Sequence, residues 1–311
     1  MQIVNSKNMD RKDIKQNSFK AWFLASRPKT LSGAAVPVMI GTSLAYSDSS
    51  FYQGDVFQWF PAVLCFLFAF IMQIDANFIN DFFDYIKGTD NTETRLGPRR
   101  ACAQGWITIE AMKRAIALTT CIACAVGFPL ILYGGMEMIL IGIICVAFCF
   151  LYTTHLSYMG LGDVLVILFF GIVPVCIPYY IQLHTCTWQV FIASIACGLV
   201  IDGLLIVNNY RDRDTDRDAG KNTIIVRLGE EKGIKLYLWT GIGACLLGMI
   251  FAVNGHILAT LLPIIYLCLH ILTYIKIKRI NRGKALNLCL GETARNIFIY
   301  GLTVTLGLLL L

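Results

Sequence analysis

Seven stretches of the 311-residue chain contain no Asp, Glu, Lys or Arg: residues 30–47, 56–74, 115–136, 138–162, 164–201, 236–275 and 296–311. A helix that crosses a bilayer needs about 20 apolar residues. Two of the stretches are about twice that length. The first is interrupted by "QLHT" (182–185) and the second by "NGH" (254–256), so each is expected to fold back as a helical hairpin. The pattern predicts an all-α integral membrane protein with nine transmembrane helices.

Charge placement orients these helices. The 26 lysines and arginines fall in the N-terminal segment and the start of helix 1, and in the helix 2–3, 6–7 and 8–9 connections, with Arg295, near the start of the last helix, the deepest. The other four connections have none. The positive-inside rule then places the N-terminus in the cytosol and the C-terminus outside. The net charge of +6 is accounted for by these loops and requires no nucleic-acid partner. Residues 1–18 lack the apolar core of a cleavable signal. Residues 1–20 therefore read as a cytosolic tail and residues 21–311 as one transmembrane domain in contact with the lipid bilayer. Most of the 12 cysteines lie inside spans, where they read as small apolar residues. Nothing marks an obligate protein partner.

The chain repeats itself faintly. "AVPVMIG" (35–41) resembles "IVPVCIP" (172–178), Asn77-x3-Asp81 resembles Asn208-x3-Asp212, and "TRLG" (94–97) returns as "VRLG" (226–229). The order is kept and the offset is nearly constant. Helices 1–4 and 5–8 are therefore expected to be two copies of one four-helix unit, with helix 9 added. Such repeats place functional sites at the interface between copies.

Two acidic runs end the even-numbered helices 2 and 6: "NFINDFFDYIKGTD" (77–90) and "RDRDTDRD" (211–218). On a helix, Asn77, Asp81 and Asp84 share a face, Asn80 and Asp84 stand one turn apart, and Asp212 and Asp216 form an i, i+4 pair one turn after Asn208. Two facing carboxylate clusters repel unless cations lie between them. Oxygen-only ligands of this kind suit Mg²⁺, which takes a few carboxylates and completes its shell with phosphate oxygens and water. Arg95, Arg99, Arg100, Arg211, Arg217, Lys221 and Arg227 surround the acids, and guanidinium forks match diphosphate oxygens. The bland alternative for 211–218 is a solvated loop of mutually paired charges. The matching cluster in the other half argues against it.

Five blocks then carry a family resemblance: "RPKTL" (27–31), "NDFFDYIKGTD" (80–90), "RLGPRRACAQGWIT" (95–108), "LGDVLVILFFG" (161–171) and "NNYRDRDTDRDAGKNTIIVRLG" (208–229). From about residue 20 to its end the chain resembles the UbiA superfamily of membrane prenyltransferases. Its blocks look most like those of the branch that prenylates 1,4-dihydroxy-2-naphthoate in menaquinone biosynthesis. The resemblance implies nine helices around a central cavity open to the cytosol and to lipid, in the cell inner membrane. It also implies Mg²⁺, an allylic polyprenyl diphosphate donor and an aromatic acceptor, with loss of CO₂ and diphosphate. Metal and catalysis would then rest on Asp81, Asp84, Asp212 and Asp216. Substrates would be held by Asn77, Asn80, Arg27, Arg95, Arg100, Asn208, Arg211 and Lys221. The family's first motif, N-D-x-x-D-x-x-x-D, is matched at Asn80, Asp81 and Asp84 but ends on Gly88, with Asp90 two residues on as a substitute. The second, D-x3-D-x3-G, is matched at Asp212, Asp216 and Gly220.

Aromatic residues near the acids, including Phe82, Phe83, Tyr85, Tyr152 and Tyr210, could steady an allyl cation through their ring faces, although packing also explains each. Arg27 or Arg100 could take the acceptor's carboxylate, and Asp163 is a further candidate for substrate contact. Two rivals remain. A different acceptor such as 4-hydroxybenzoate is the nearer one. A secondary transporter is the other, but its acids should lie near mid-membrane rather than at helix ends.

Overall fold

The computed structural model describes residues 14–52, 56–88, 95–156 and 159–310. Most of the expected tail at 1–20, and Asp90, lie outside the described residues. The folded body already includes Ile14, which is buried with Ala21, Ala25 and Phe78.

Among the described residues the chain is helical, with no strand. A short helix, α1 (Phe19–Ala25), is capped by Ser18, whose hydroxyl accepts the Ala21 N–H. Nine long helical segments follow: α2 (Leu31–Tyr52), α3 (Trp59–Ile86), α4 (Ile109–Gly134), α5 (Glu137–Thr154), α6 (Gly162–Leu183), α7 (Trp188–Asp218), α8 (Ile224–Val253), α9 (Ile257–Ile280) and α10 (Leu286–Leu309). The two long apolar stretches do fold back where the polar breaks occur. His184 and Gly255 take positive φ there and turn the chain.

Seven of these helices, α3 to α9, are long and apolar enough to cross a membrane. Helices α2 and α10 are 22 and 24 residues long, about 33–36 Å at 1.5 Å per residue. They are less apolar because of their position. α2 packs against α3, α6 and α10, and α10 against α2, α7 and α9. A helix covered by other helices can carry Ser43, Thr293 and Asn296 without presenting them to lipid. The outer helices show the converse: 11% of the apolar window of α5 is buried, against 67% in α7.

Small residues set the closest crossings. A Cβ on Gly41 would stand 2.3 Å from the Val175 carbonyl oxygen, so the two segments with similar sequence, 35–41 and 172–178, are in contact. A Cβ on Gly171 would stand 2.7 Å from Cα of Gly198, where α6 and α7 run antiparallel. Buried polar groups are tied across helices. Asp75 of α3 accepts hydrogen bonds from Thr119 and Thr120 of α4. Spacing alone pairs Glu292 with Arg295. The structure instead joins Glu292 to Lys276 of α9, and Arg295 donates to Asn296 at 3.2 Å.

Candidate active site

Between the first-half helices and α6, α7 and α10 lies a cavity of about 1310 Å³. Its deep end is apolar, with Phe68, Met72, Leu130, Ile141 and Phe169 on the wall. Its mouth is polar and is bordered by the ends of α3 and α7.

The end of α3 divides into two faces. Gln73, Ala76, Asn80 and Asp84 form a stripe along the cavity. Asp84 accepts a hydrogen bond from Arg100 at 2.8 Å, and Arg27, Arg95 and Lys221 lie within its electrostatic reach. Asn80 accepts one from the Thr153 hydroxyl of α5 at 2.7 Å. Asn77 and Asp81 take the adjacent face. Asn77 donates to the Ser26 carbonyl at 2.9 Å and to Thr30 at 3.0 Å, which ties α3 to the turn before α2. Asp81 is 1% exposed. Its two oxygens accept the backbone N–H groups of Ala101 (2.8 Å) and Cys102 (2.9 Å). It thus anchors the 95–107 segment that carries Arg95 and Arg100. Gly88, at the third acid position of the motif, has φ +69 and closes the helix. A side chain there would be strained.

The charged run at the end of α7 also divides. Arg211, 2% exposed, donates from Nε to Asp212 (2.8 Å), from Nη2 to Asn208 (2.8 Å) and from Nη1 to Asn287 of α10 (2.9 Å). Asn287 in turn donates to the Leu96 carbonyl at 2.8 Å. Gly97 lies over the Arg211 guanidinium so closely that a Cβ would stand 2.7 Å from Nη2. The "RLG" segment of the first half is therefore locked onto the second motif. Asp216 lies 3.6 Å from Lys221, placed by the helix end at Gly220 (φ +71). Asn208 and Lys221, which flank the second run, line the cavity with Asp84, Arg27, Arg95 and Arg100; Asp212 and Asp216 themselves are not on its wall. Arg213 faces away. It donates to Glu230 (2.9 Å) and to the Asn281 carbonyl (3.0 Å) and lies 4.3 Å from the Tyr210 ring centre. Part of the run thus braces α7 against the α9–α10 connection.

Three contributors carry no signature in the sequence: Asn287, Thr153 and the φ +49 conformation of Arg27. A non-glycine residue in that region is costly and marks sites where geometry matters. A tighter clue exists at Gly160 (φ +77), where a Cβ would stand 2.2 Å from the Asn222 carbonyl oxygen. Arg227 of the "VRLG" block donates to the neighbouring Met159 carbonyl at 2.8 Å. These contacts join the "LGD" and "GKNT" blocks.

No group of three or more His, Cys, Asp or Glu side chains converges into a metal cage among the described residues. Of the expected metal-binding carboxylates, Asp84 lines the cavity with the amides of Asn80 and Asn208, while Asp212 is paired with Arg211 and Asp216 with the cavity-lining Lys221. Mg²⁺ is commonly held by one or two carboxylates with substrate phosphates completing its shell, and this donor set fits that arrangement.

Comparison with known proteins agrees with the geometry. The profile of the UbiA prenyltransferase family matches residues 35–302. The 1,4-dihydroxy-2-naphthoate octaprenyltransferase of Escherichia coli is 36% identical over 220 residues, covering 68% of this chain and 69% of that protein. The apo structure of a UbiA homologue from Aeropyrum pernix K1 superposes with a TM-score of 0.66 at 15% identity, covering 89% of this chain and 96% of that one. A UbiA homologue from Archaeoglobus fulgidus bound to DMAPP and Mg²⁺ gives 0.55 at 16% identity, covering 91% and 98%.

Proposed function

This chain belongs to the UbiA prenyltransferase family, and from that premise we propose that it transfers a polyprenyl group from an allylic polyprenyl diphosphate to 1,4-dihydroxy-2-naphthoate, releasing diphosphate and CO₂ and forming demethylmenaquinol. One observation carries the reading: a single cavity joins a polar mouth, lined by Asn80 and Asp84 of the first run and by Asn208 and Lys221 on either side of the second, to a long apolar interior. An amphiphile with an anionic head and a hydrocarbon tail matches both ends. The acceptor is assigned from relatives such as the Escherichia coli octaprenyltransferase. The same reading takes α2 and α10 as spans, giving nine in all as two four-helix units plus one. It places the N-terminus and the mouth on the cytosolic side of the inner membrane.

In this proposal Asp84, Asp212 and Asp216 hold Mg²⁺, while Asp81 positions the 95–107 segment. When bound, Mg²⁺ neutralises charge growing on the diphosphate as it leaves. Arg95, Arg100 and Lys221 donate to the non-bridging oxygens, and Asn80, Asn208 and Arg211 hold the carboxylates in place. The allylic carbon then lies over the apolar part of the cavity, where water is scarce and the cation survives long enough to meet the ring. Tail burial adds about 0.8 kcal/mol per CH₂ relative to water, but lipid offers similar surroundings, so the tail orients more than it binds. Arg27 faces the same mouth and is assigned the acceptor's carboxylate.

The test uses membranes containing the protein, a polyprenyl diphosphate, Mg²⁺ and carboxyl-labelled 1,4-dihydroxy-2-naphthoate, with 4-hydroxybenzoate in parallel. Labelled CO₂ matched by demethylmenaquinol supports the reading, as does its loss in Asp84→Asn and with EDTA. Prenylated 4-hydroxybenzoate with no turnover of the naphthoate refutes the acceptor assignment.

A further inference from the structure

A second acidic pair lies deeper than the two motifs. Asp163 opens α6 and lines the cavity, and it is 8% exposed. Asp202, in the middle of α7, is 3% exposed. The antiparallel register brings them together: a Cβ on Gly198 would stand 3.0 Å from Cα of Ile167, and one on Gly162 would stand 3.2 Å from Leu205. Asp163 therefore stands opposite the turn that contains Asp202, and the two carboxyls lie within electrostatic reach of each other. Oδ1 of each is buried and has no hydrogen-bond partner. Ten residues of α7 separate Asp202 from Asp212, about 15 Å of rise. The pair is thus below the polar rim rather than part of it. Tyr152 connects the levels. Its hydroxyl would lie 3.7 Å from a Cβ on Gly162, and Asp84, Asp163 and Asp202 are all within its electrostatic reach.

A buried carboxyl oxygen without a partner, on a cavity wall, is an expensive arrangement unless a ligand completes it. Two carboxylates kept from water also repel, and a proton held between them removes the repulsion. Such a pair can take up a proton and return it.

We propose that Asp163 contacts the acceptor hydroxyl next to the ring carboxylate and carries its proton during transfer, with Asp202 positioning it. The inference rests on the naphthoate-prenylating reading. The carbon–oxygen bond of the allylic diphosphate breaks, and its electron pair leaves with the diphosphate. The ring carbon bearing the carboxylate bonds to the allylic carbon. The neighbouring hydroxyl gives its proton to Asp163 and becomes a ketone, so the adduct is a β-keto acid. Its bond to the carboxylate then breaks and CO₂ departs. That electron pair restores the ring and its oxygen, which takes the proton back from Asp163. No proton is gained or lost overall, and no oxidant is needed.

The experiment uses the full-length protein in lipid nanodiscs with a polyprenyl diphosphate, Mg²⁺ and the carboxyl-labelled naphthoate. Asp163→Asn should slow CO₂ release by about 10²- to 10⁴-fold, the usual worth of a proton-transfer group. Binding of labelled donor should be retained. Asp163→Glu should recover part of the turnover, and formate should partly rescue Asp163→Ala. Asp202→Asn should lower kcat without weakening donor binding, and Asp202→Glu should recover kcat. Near-normal turnover in Asp163→Asn overturns the inference. So does a loss of donor binding in every Asp163 variant, which would make the residue structural. In both cases the wild type still consumes the naphthoate. A wild type that prenylates only 4-hydroxybenzoate overturns the underlying reading instead.

Discussion

Replacing Gly97 by Ala adds one methyl group that touches no substrate, yet the structure predicts a large loss of activity. Gly97 does not occupy the left-handed region, so the backbone accepts alanine. The conflict is with Arg211. The new Cβ would stand 2.7 Å from Nη2, where ordinary contact begins at 3.4 Å, so one side must yield by about 0.7 Å. An exposed arginine would swing away, but this one is 2% exposed and held at 2.8–2.9 Å by Asp212, Asn208 and Asn287. A shift of that size takes a 2.8 Å hydrogen bond to the edge of hydrogen-bonding distance. A hydrogen bond to a charged group is worth about 1.5–3 kcal/mol. If one such bond no longer holds Asp212 in place during transfer, the rate falls about 10- to 100-fold, at 1.36 kcal/mol per factor of ten. The assay is a double-mutant cycle in kcat/KM. Arg211→Lys keeps the charge and removes the guanidinium plane that meets the methyl group. In that background Gly97→Ala should cost far less than in the wild type. Additive effects would refute the reasoning, because the methyl group would then be acting somewhere other than on Arg211.

Three further outcomes are expected. Asp81→Asn replaces an acceptor with an amide donor beside one of two backbone N–H groups, at a cost of about 1–3 kcal/mol. Thermal unfolding should therefore occur at lower temperature while the Mg²⁺ concentration for half-maximal activity stays unchanged, and a raised Mg²⁺ requirement would return Asp81 to the metal. Gly142 lines the apolar end of the cavity with open space beyond its Cβ direction. Gly142→Phe should lower kcat/KM for long-chain donors while sparing geranyl diphosphate, and equal losses for both would show that the tail does not run there. In a background without native cysteines, a cysteine at the exposed Thr185 should be labelled from outside intact cells and one at the exposed Asn222 only from inside; the reverse would invert the proposed orientation.

The helical architecture was legible because lipid imposes a strong constraint on sequence. A span facing hydrocarbon must be long and nearly free of charge, and each of α3 to α9 contains most of a charge-free stretch or of one half of a long one, although α3 and α7 run on through their acidic runs and α8 begins before its stretch. Legibility weakens toward the centre of the bundle. There the neighbours are other helices, and α2 and α10 carry polar residues that hydropathy alone discounts. The pairing of Glu292 with Lys276 rather than with its sequence neighbour Arg295 has the same origin. A charge on a packed helix takes the partner that packing brings to it, and packing is not local.

The site shows the same limit at finer scale. Helical geometry puts Asn77, Asp81 and Asp84 within a narrow arc, and sequence reasoning therefore placed all three in one site, the acids on metal and Asn77 on substrate. In the structure an edge runs through that arc. The 95–107 segment covers Asp81, the turn before α2 takes Asn77, and the cavity receives Asp84. Nothing within 77–84 encodes where that edge falls, because the covering segments come from elsewhere in the chain. Asp202 is the opposite case. It carries no motif, and it marked only the end of a charge-free stretch. Yet an ionisable residue in the middle of a membrane helix is functional more often than incidental. What the sequence lacked was its partner, since only the antiparallel register of α6 and α7 brings Asp163 alongside.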